Sequence, residues 1–124
     1  MNVTSRRFAN AVVVRAAGRL DQDTCEAFRA DLLKYVDEAV SDGGGIVLDL
    51  SGLEYVSSAG LRCFMLASRQ AKAQQGRIFV AALQPMVAEI FEISHFNLVF
   101  QVFPTVRDAL GAISPEASSA FEKA

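Results

Sequence analysis

The sequence predicts an α/β domain in which strands and helices alternate around a largely parallel sheet. Two observations support this prediction. Short apolar runs at 46–50 and 78–83 are bounded by glycine or proline and have the length of buried strands. Between and after these runs, apolar residues recur every three or four positions, as they do on one face of a helix. Strands that alternate with helices in this way pair in parallel through right-handed crossovers.

The first elements predict a strand pair followed by a helix. Residues 6–17 are rich in β-branched residues, Asn10 suits the turn, and Gly18 is expected to end the second strand. Capping candidates between residues 21 and 24 then precede a helix. Its predicted apolar face comprises Phe28, Leu32, Val36 and Ala39, and the glycines at 43–45 end it.

The alternation continues after the central strand at 46–50. A second helix is expected to end near Gln75 and Gly76, and a third begins at Pro85 after the strand at 78–83. Residues 98–103 predict the last strand. Thr105 caps the last helix, with Asp108 three residues later.

The resulting order is β-β-α-β-α-β-α-β-α, with an antiparallel hairpin at one edge of the sheet and about four helices. Residues 1–113 are expected to form a single domain. Residues 114–124 are small and polar apart from Phe121, and they predict a C-terminal tail that frays or adds a short helix.

Composition excludes several classes of function. The net charge of −2 and the lack of a Lys/Arg run argue against a nucleic-acid surface. No apolar run approaches the ~18 residues of a membrane span, and the N-terminus lacks the apolar stretch of a signal peptide. Cys25 and Cys63 lie 38 positions apart and are expected to be buried free thiols, which suits a cytoplasmic protein.

No catalytic constellation is present in the sequence. The serines at 57 and 58 lack the Gly-x-Ser-x-Gly pattern of a hydrolase, and the single histidine, His95, is interpreted as a structural residue at a helix end. The glycines at 43–45 precede a strand, whereas a phosphate-binding loop must lead into a helix. Metal ligands are not clustered. We therefore expect no enzyme activity, no cofactor and no metal.

The segment from Val47 to Arg62 is the most informative part of the chain. Two adjacent serines, Ser57 and Ser58, are predicted to begin a helix, where backbone N–H groups are unpaired. A hydroxyl there is either a plain cap or a group that carries or meets phosphate. Gly60 lies in the first turn, where alanine would be more favourable by ~1 kcal/mol. Its presence indicates close approach by another backbone or a partner, and Leu61 is expected to be exposed at the helix mouth.

These residues resemble a known family. The stretch from Val47 to Leu61 is similar to the signature of STAS domains, the sulphate-transporter and anti-sigma-factor-antagonist domains. Residues 18–21 resemble the Gly-x-Leu-Asp motif of the family, and 74–78, 91–94 and 108–110 resemble its later elements. The resemblance covers roughly residues 8–112, and it implies an α/β STAS-like fold.

The resemblance also implies a modification site. In free-standing members of the family, a serine in this loop is phosphorylated by a partner kinase, within a pattern that is often Asp-Ser-Ser/Thr-Gly-Leu. Aligned on this pattern, Ser58 is the acceptor, Ser57 stands at the usual Asp position, and Ala59 stands at the second Ser/Thr position. The implied partner-binding residues are Asp21, Ser57, Ser58, Ala59, Gly60 and Leu61.

The resemblance further implies partner switching. The expected partner is a serine-kinase/anti-sigma factor of the histidine-kinase-like ATPase fold, which the unphosphorylated protein binds and the phosphorylated protein releases. A phosphatase of the PP2C type would reverse the modification. The alternative is a non-switching soluble STAS subunit of a membrane complex that transports lipids or anions.

Overall fold

A computed structural model describes residues 1–41 and 44–124 of the chain, without the side chains of residues 39–41. The predicted end of the first helix at 43–45 therefore lies partly outside the described residues. Strands and helices alternate as the sequence predicts. The elements are β1 (Asn2–Phe8), β2 (Ala11–Leu20), α1 (Cys25–Ser41), β3 (Gly45–Val56), α2 (Ser58–Ala73), β4 (Arg77–Ala81), α3 (Pro85–Ile93), a 3-10 turn (Phe96–Leu98), β5 (Gln101–Phe103), α4 (Val106–Ile113) and α5 (Pro115–Glu122).

The five strands form one sheet in the order β1-β2-β3-β4-β5. The β1–β2 pair is antiparallel, and the other three pairs are parallel. This arrangement confirms the predicted α/β class with an antiparallel edge. Ala9 and Asn10 make the hairpin turn, in which Ala9 adopts a left-handed φ of 55°.

The sheet separates two hydrophobic cores. The larger core lies against α1, α2 and α3, and the smaller one lies against α4 and α5. Central strand β3 contributes to both cores, because Ile46 and Leu48 belong to the larger cluster and Val47 to the smaller one. The apolar run at 46–50 is thus covered on both sides, as its composition predicts.

Phe64 of α2 lies at the centre of the larger core. Its ring makes edge contacts with Phe28 at 5.4 Å, Phe91 at 5.9 Å and Phe100 at 6.1 Å between centroids. Edge-to-face pairs of this kind are favourable because the positive ring edge meets the negative ring face. The cluster joins α1, α2 and α3 to one another as well as to the sheet.

One predicted boundary is wrong. Gly18 does not end the second strand; it adopts a φ of +105° at a register irregularity, and β2 continues to Leu20. Helix α2 ends at Ala73, close to its predicted end, and the left-handed residue of its C-terminal turn is Gln75 (φ 60°). The N–H of Gly76 donates to the Ala71 carbonyl at 2.7 Å, which closes the turn into β4.

The predicted strand at 98–103 is only partly present. Residues 96–98 form a 3-10 turn, because Phe96 and Phe100 both enter the larger core and helical spacing places them on one side. The Phe100 N–H donates to the Phe96 carbonyl at 2.9 Å, and β5 keeps only three residues. His95 adopts a left-handed φ of 61° just before this turn, in a backbone region where His is enriched.

The C-terminal residues form a fifth helix that packs on the sheet. Ser114 caps α5 by accepting a hydrogen bond from the Ala117 N–H at 3.1 Å. Ala117 is buried, and the Phe121 ring contacts that of Phe8 at 5.3 Å. Residues 114–124, predicted as a tail, thus cover the smaller core. Over the described residues, no helix is both long and apolar enough to cross a membrane.

Replacement of Phe64 by alanine should destabilise the fold strongly. The ring is fully buried, so its removal leaves a cavity among three other phenylalanines and should lower the free energy of unfolding by about 3–5 kcal/mol. Urea denaturation measures this loss. The control is Leu98→Ala, which truncates a side chain that is 80% exposed and should change stability by less than about 0.5 kcal/mol. Equal effects of the two substitutions would contradict the central position of Phe64.

Candidate functional site

Strands β2 and β3 end side by side, and this edge of the sheet carries the predicted site. Leu20 pairs with Val56 at the ends of the two strands. One residue later, the Ser57 N–H donates to the Leu20 carbonyl at 2.9 Å. The structure therefore brings Asp21 and the serine loop to the same edge, although 36 positions separate Asp21 from Ser57 in the sequence.

The two adjacent serines occupy different positions at the start of α2. Ser57 is the N-cap, with extended backbone angles, and its hydroxyl accepts a hydrogen bond from the Gly60 N–H at 3.2 Å. Its carbonyl accepts from the Leu61 N–H at 2.9 Å. Ser58 is the first helical residue and is exposed. The capping function is therefore filled by Ser57, which leaves the Ser58 hydroxyl at the surface.

Asp21 has a structural function at this edge. Its Oδ1 accepts hydrogen bonds from the N–H groups of Asp23 at 3.0 Å and Thr24 at 3.2 Å. Its carbonyl accepts from the Cys25 N–H at 2.9 Å, so the residue shapes the turn that begins α1. The side chain of Asp21 is half-buried, and one carboxylate oxygen is committed to this turn.

Gly60 is required where α2 meets the end of β2. A Cβ at this position would lie 2.8 Å from the Val56 Cγ2 and 2.9 Å from both the Leu20 carbonyl oxygen and its Cγ. The close approach that the glycine indicates is therefore made to Leu20 of the same chain. Leu61 is half-buried against the larger core, which differs from the exposure expected for it at the helix mouth.

A groove of about 500 Å³ runs between the N-terminal turns of α1 and α2, next to Ser58. It contains two arginines that sequence reasoning missed. Arg62 lies one helical turn after Ser58, and that spacing alone places both on one face of α2. Arg29 reaches the groove from α1, which only the tertiary structure reveals. The lining residues are Cys25, Glu26, Arg29, Ser58, Ala59, Arg62, Cys63 and Leu66.

Both cysteines are buried free thiols, as predicted. The Cys63 thiol donates to the Cys25 carbonyl at 3.4 Å and so links α2 to α1. Burial, and then a hydrogen bond with the Cys25 side chain, raise the pKa of Cys63 to about 11. The thiol is therefore protonated at neutral pH and does not act as a nucleophile there. Among the described residues, no group of three or more His, Cys, Asp or Glu side chains could hold a metal ion.

The sequence model of a family described as "Mlab, STAS domain" matches residues 3–101. The chain belongs to the STAS domain family. Among named relatives of this STAS domain, the putative anti-sigma factor antagonist BtrV of Bordetella bronchiseptica is 34% identical over 102 residues. That alignment covers 82% of this chain and 85% of BtrV.

Solved structures share the fold of this STAS domain. A putative anti-sigma factor antagonist from Thermotoga maritima superposes with a TM-score of 0.79 at 15% identity, over 90% of this chain and 93% of that one. The phosphorylated form of the Bacillus cell fate determinant SpoIIAA superposes with a TM-score of 0.63 at 21% identity, over 90% of this chain and 98% of that one. These similarities confirm the STAS fold.

Substitution of Gly60 by alanine should destabilise this STAS domain, although alanine is the better helix former. The added Cβ would collide with the Leu20 backbone, and we expect a loss of about 1–3 kcal/mol in the free energy of unfolding. The matched control is Gly111→Ala in α4, where a Cβ meets no atom within 4 Å. That substitution should stabilise the domain by about 0.5–1 kcal/mol. Urea denaturation of both variants checks the opposite signs.

The raised pKa of Cys63 should make stability depend on alkaline pH. The unfolded thiol ionises near its ordinary pKa of 9.0, whereas the folded one holds its proton to about pH 11. The contribution of the protonated thiol is therefore complete below pH 9 and is lost as the pH rises towards 11. We expect the stability difference between wild type and Cys63→Ala to shift against the wild type from pH 8 to pH 10, as measured by urea denaturation in reductant. A constant difference would refute the shift.

Proposed function

We propose that this STAS domain is an anti-sigma factor antagonist controlled by phosphorylation of Ser58. In this proposal it binds a serine-kinase/anti-sigma factor while Ser58 is unmodified, and phosphorylation releases it. The observation that carries the proposal is the division of labour between the two serines. Ser57 caps α2, so the exposed Ser58 hydroxyl has no capping function to perform. The likeness to BtrV, which is named a putative anti-sigma factor antagonist, supports the same role.

The position of Ser58 suits a reversible charge switch. A phosphate adds about −1.5 to −2 charges and three acceptor oxygens at neutral pH. At the first residue of α2, that charge lies beside unpaired N–H groups and the positive end of the helix dipole, where it is stabilised. Inside a packed interface, the same group would be desolvated and sterically excluded. Phosphorylation can thus expel a partner without unfolding the domain.

The proposed contact surface is the edge that carries Ser58. Ser57, Ser58 and Ala59 form its centre, and Asp21 and Leu61 are half-buried beside them. Gly60 belongs to this surface through its packing on Leu20, which fixes the first turn of α2. The proposed partner is a kinase of the histidine-kinase-like ATPase fold, and a PP2C-type phosphatase would restore the binding form.

Phosphorylation with the cognate kinase tests the acceptor directly. Wild type, Ser58→Ala and Ser57→Ala are incubated with the kinase and ATP, and the products are mapped by mass spectrometry. We expect label on Ser58 in the wild type and in Ser57→Ala, and none in Ser58→Ala. Ser57→Ala is the matched control, since it removes a neighbouring hydroxyl and costs only the cap, about 1 kcal/mol of stability. Label on another residue, or unchanged labelling of Ser58→Ala, would disprove the assignment.

Binding measurements test the switch itself. Ser58→Asp should weaken kinase binding at least tenfold, because a carboxylate places charge in the interface, whereas Ser58→Ala should bind without regulation by ATP. Asp21→Ala removes the carboxylate from this edge together with its hydrogen bonds to the Asp23 and Thr24 N–H groups, and intact binding and phosphorylation of that variant would exclude Asp21 from the contact surface. The alternative function predicts a different result. If Ser58→Ala and Ser58→Asp bind the subunits of a membrane transport complex equally well, the protein is a non-switching subunit of that complex.

A further inference from the structure

Two arginines flank Ser58 from different helices. Arg62 follows Ser58 by one turn of α2, and Arg29 lies across the groove on α1. Among the described residues, Arg62 is exposed and has no ion-pair partner. Arg29 pairs with Glu26 on its own helix, with Nη2 and Oε2 3.2 Å apart. One arginine is therefore unpaired, and the other is held by a carboxylate in the same groove.

We propose that Arg62 and Arg29 form a binding site for the phosphate carried by Ser58, and that this phosphate ties α2 to α1. The site rests on the proposed function only in that the phosphate is attached to Ser58. Its ligand is a phosphomonoester dianion, and its donors are two guanidinium groups together with the N–H groups of the first turn of α2. Guanidinium suits this ligand because its planar set of N–H groups can donate to two phosphate oxygens at once.

The Glu26 carboxylate gives the site two states. In the unmodified protein, Glu26 neutralises Arg29 beside an uncharged Ser58. A phosphate with nearly two negative charges competes with a carboxylate that carries one, and the Glu26 side chain is 77% exposed, so its release into water costs little. Arg29 would then exchange Glu26 for the phosphate.

The charged side chains that line the groove determine whether the second pKa of the phosphate is raised or lowered. Arg29 and Arg62 favour the dianion and lower the second pKa of the phosphate, while Glu26 raises it. The thiols of Cys25 and Cys63 line the same groove, and burial keeps Cys63 protonated through neutral pH. High salt isolates the contribution of a directly paired arginine, because charges further apart than about 4 Å are largely screened at 0.5 M.

Titration of the phosphate by ³¹P NMR tests the site. Phosphoserine is installed at position 58 during translation, so no kinase is needed, and the second phosphate pKa is measured in 0.5 M NaCl. We expect Arg62→Gln and Arg29→Gln each to raise this pKa by at least about 0.3 units relative to the parent phosphoprotein. Glu26→Gln should lower it. The matched control is Arg69→Gln, which removes the same charge from an exposed position about 16 Å beyond Ser58 along α2. This variant should leave the pKa of the phosphate unchanged.

The proposal is overturned if Arg62→Gln or Arg29→Gln titrates like Arg69→Gln. All substituted side chains are exposed or half-buried, and thermal melting verifies that each variant is folded before it is titrated. The experiment also separates this proposal from the proposed function. Failure of the kinase to modify Ser58 would disprove the switch and leave the titration unaffected, whereas an unchanged pKa would disprove the arginine site and leave phosphorylation unaffected.

Discussion

The contact between Leu20 and the first turn of α2 is the constraint on which the site depends. The Leu20 carbonyl accepts the Ser57 N–H, and Gly60 lies so close to the same residue that a Cβ would collide with it. This double contact begins the helix immediately after β3 separates from β2. It also directs the Ser57 hydroxyl back to the Gly60 N–H, and the next residue, Ser58, consequently faces outwards. The exposure of the Ser58 hydroxyl therefore follows from backbone packing at the end of β2.

The larger core keeps the two walls of the groove in fixed positions. Phe28 of α1 and Phe64 of α2 meet at 5.4 Å between ring centroids, and the thiol of Cys63, which lines the groove, donates to the Cys25 carbonyl. Close-packed interiors deform little, so we expect a charge added at Ser58 to change the surface and not the fold. The proposed switch would then act by local repulsion and local pairing. Substitutions of exposed side chains such as Arg62 and Glu26 should change that pairing with little effect on stability.

The sequence predicts the parts of the fold that follow from local patterns. Buried runs such as 46–50 and the cap at Thr105 follow from local patterns, and the structure confirms them. Errors occur where tertiary packing overrides a local rule. Strand β2 continues through Gly18 with an irregularity in its pairing to β3. Residues 96–98 form a turn because Phe96 and Phe100 both enter the larger core. At the site, the serine loop is visible in the sequence, whereas the position of Arg29 is not, since local patterns do not specify the strand order that brings α1 beside α2.

Ser57 caps α2 without placing a charge next to Ser58. The STAS pattern commonly has an aspartate here, and aspartate and serine are about equally good N-caps. The structure shows that Ser57 performs the capping role through its bond to Gly60, so exchanging the acid for a hydroxyl preserves the helix start. It also removes a negative charge from the residue next to Ser58. A phosphate on Ser58 would be repelled by an adjacent carboxylate, whereas the uncharged hydroxyl of Ser57 would not oppose its proposed pairing with Arg62. The substitution thus keeps the backbone function of the position and favours the charge that Ser58 is proposed to carry.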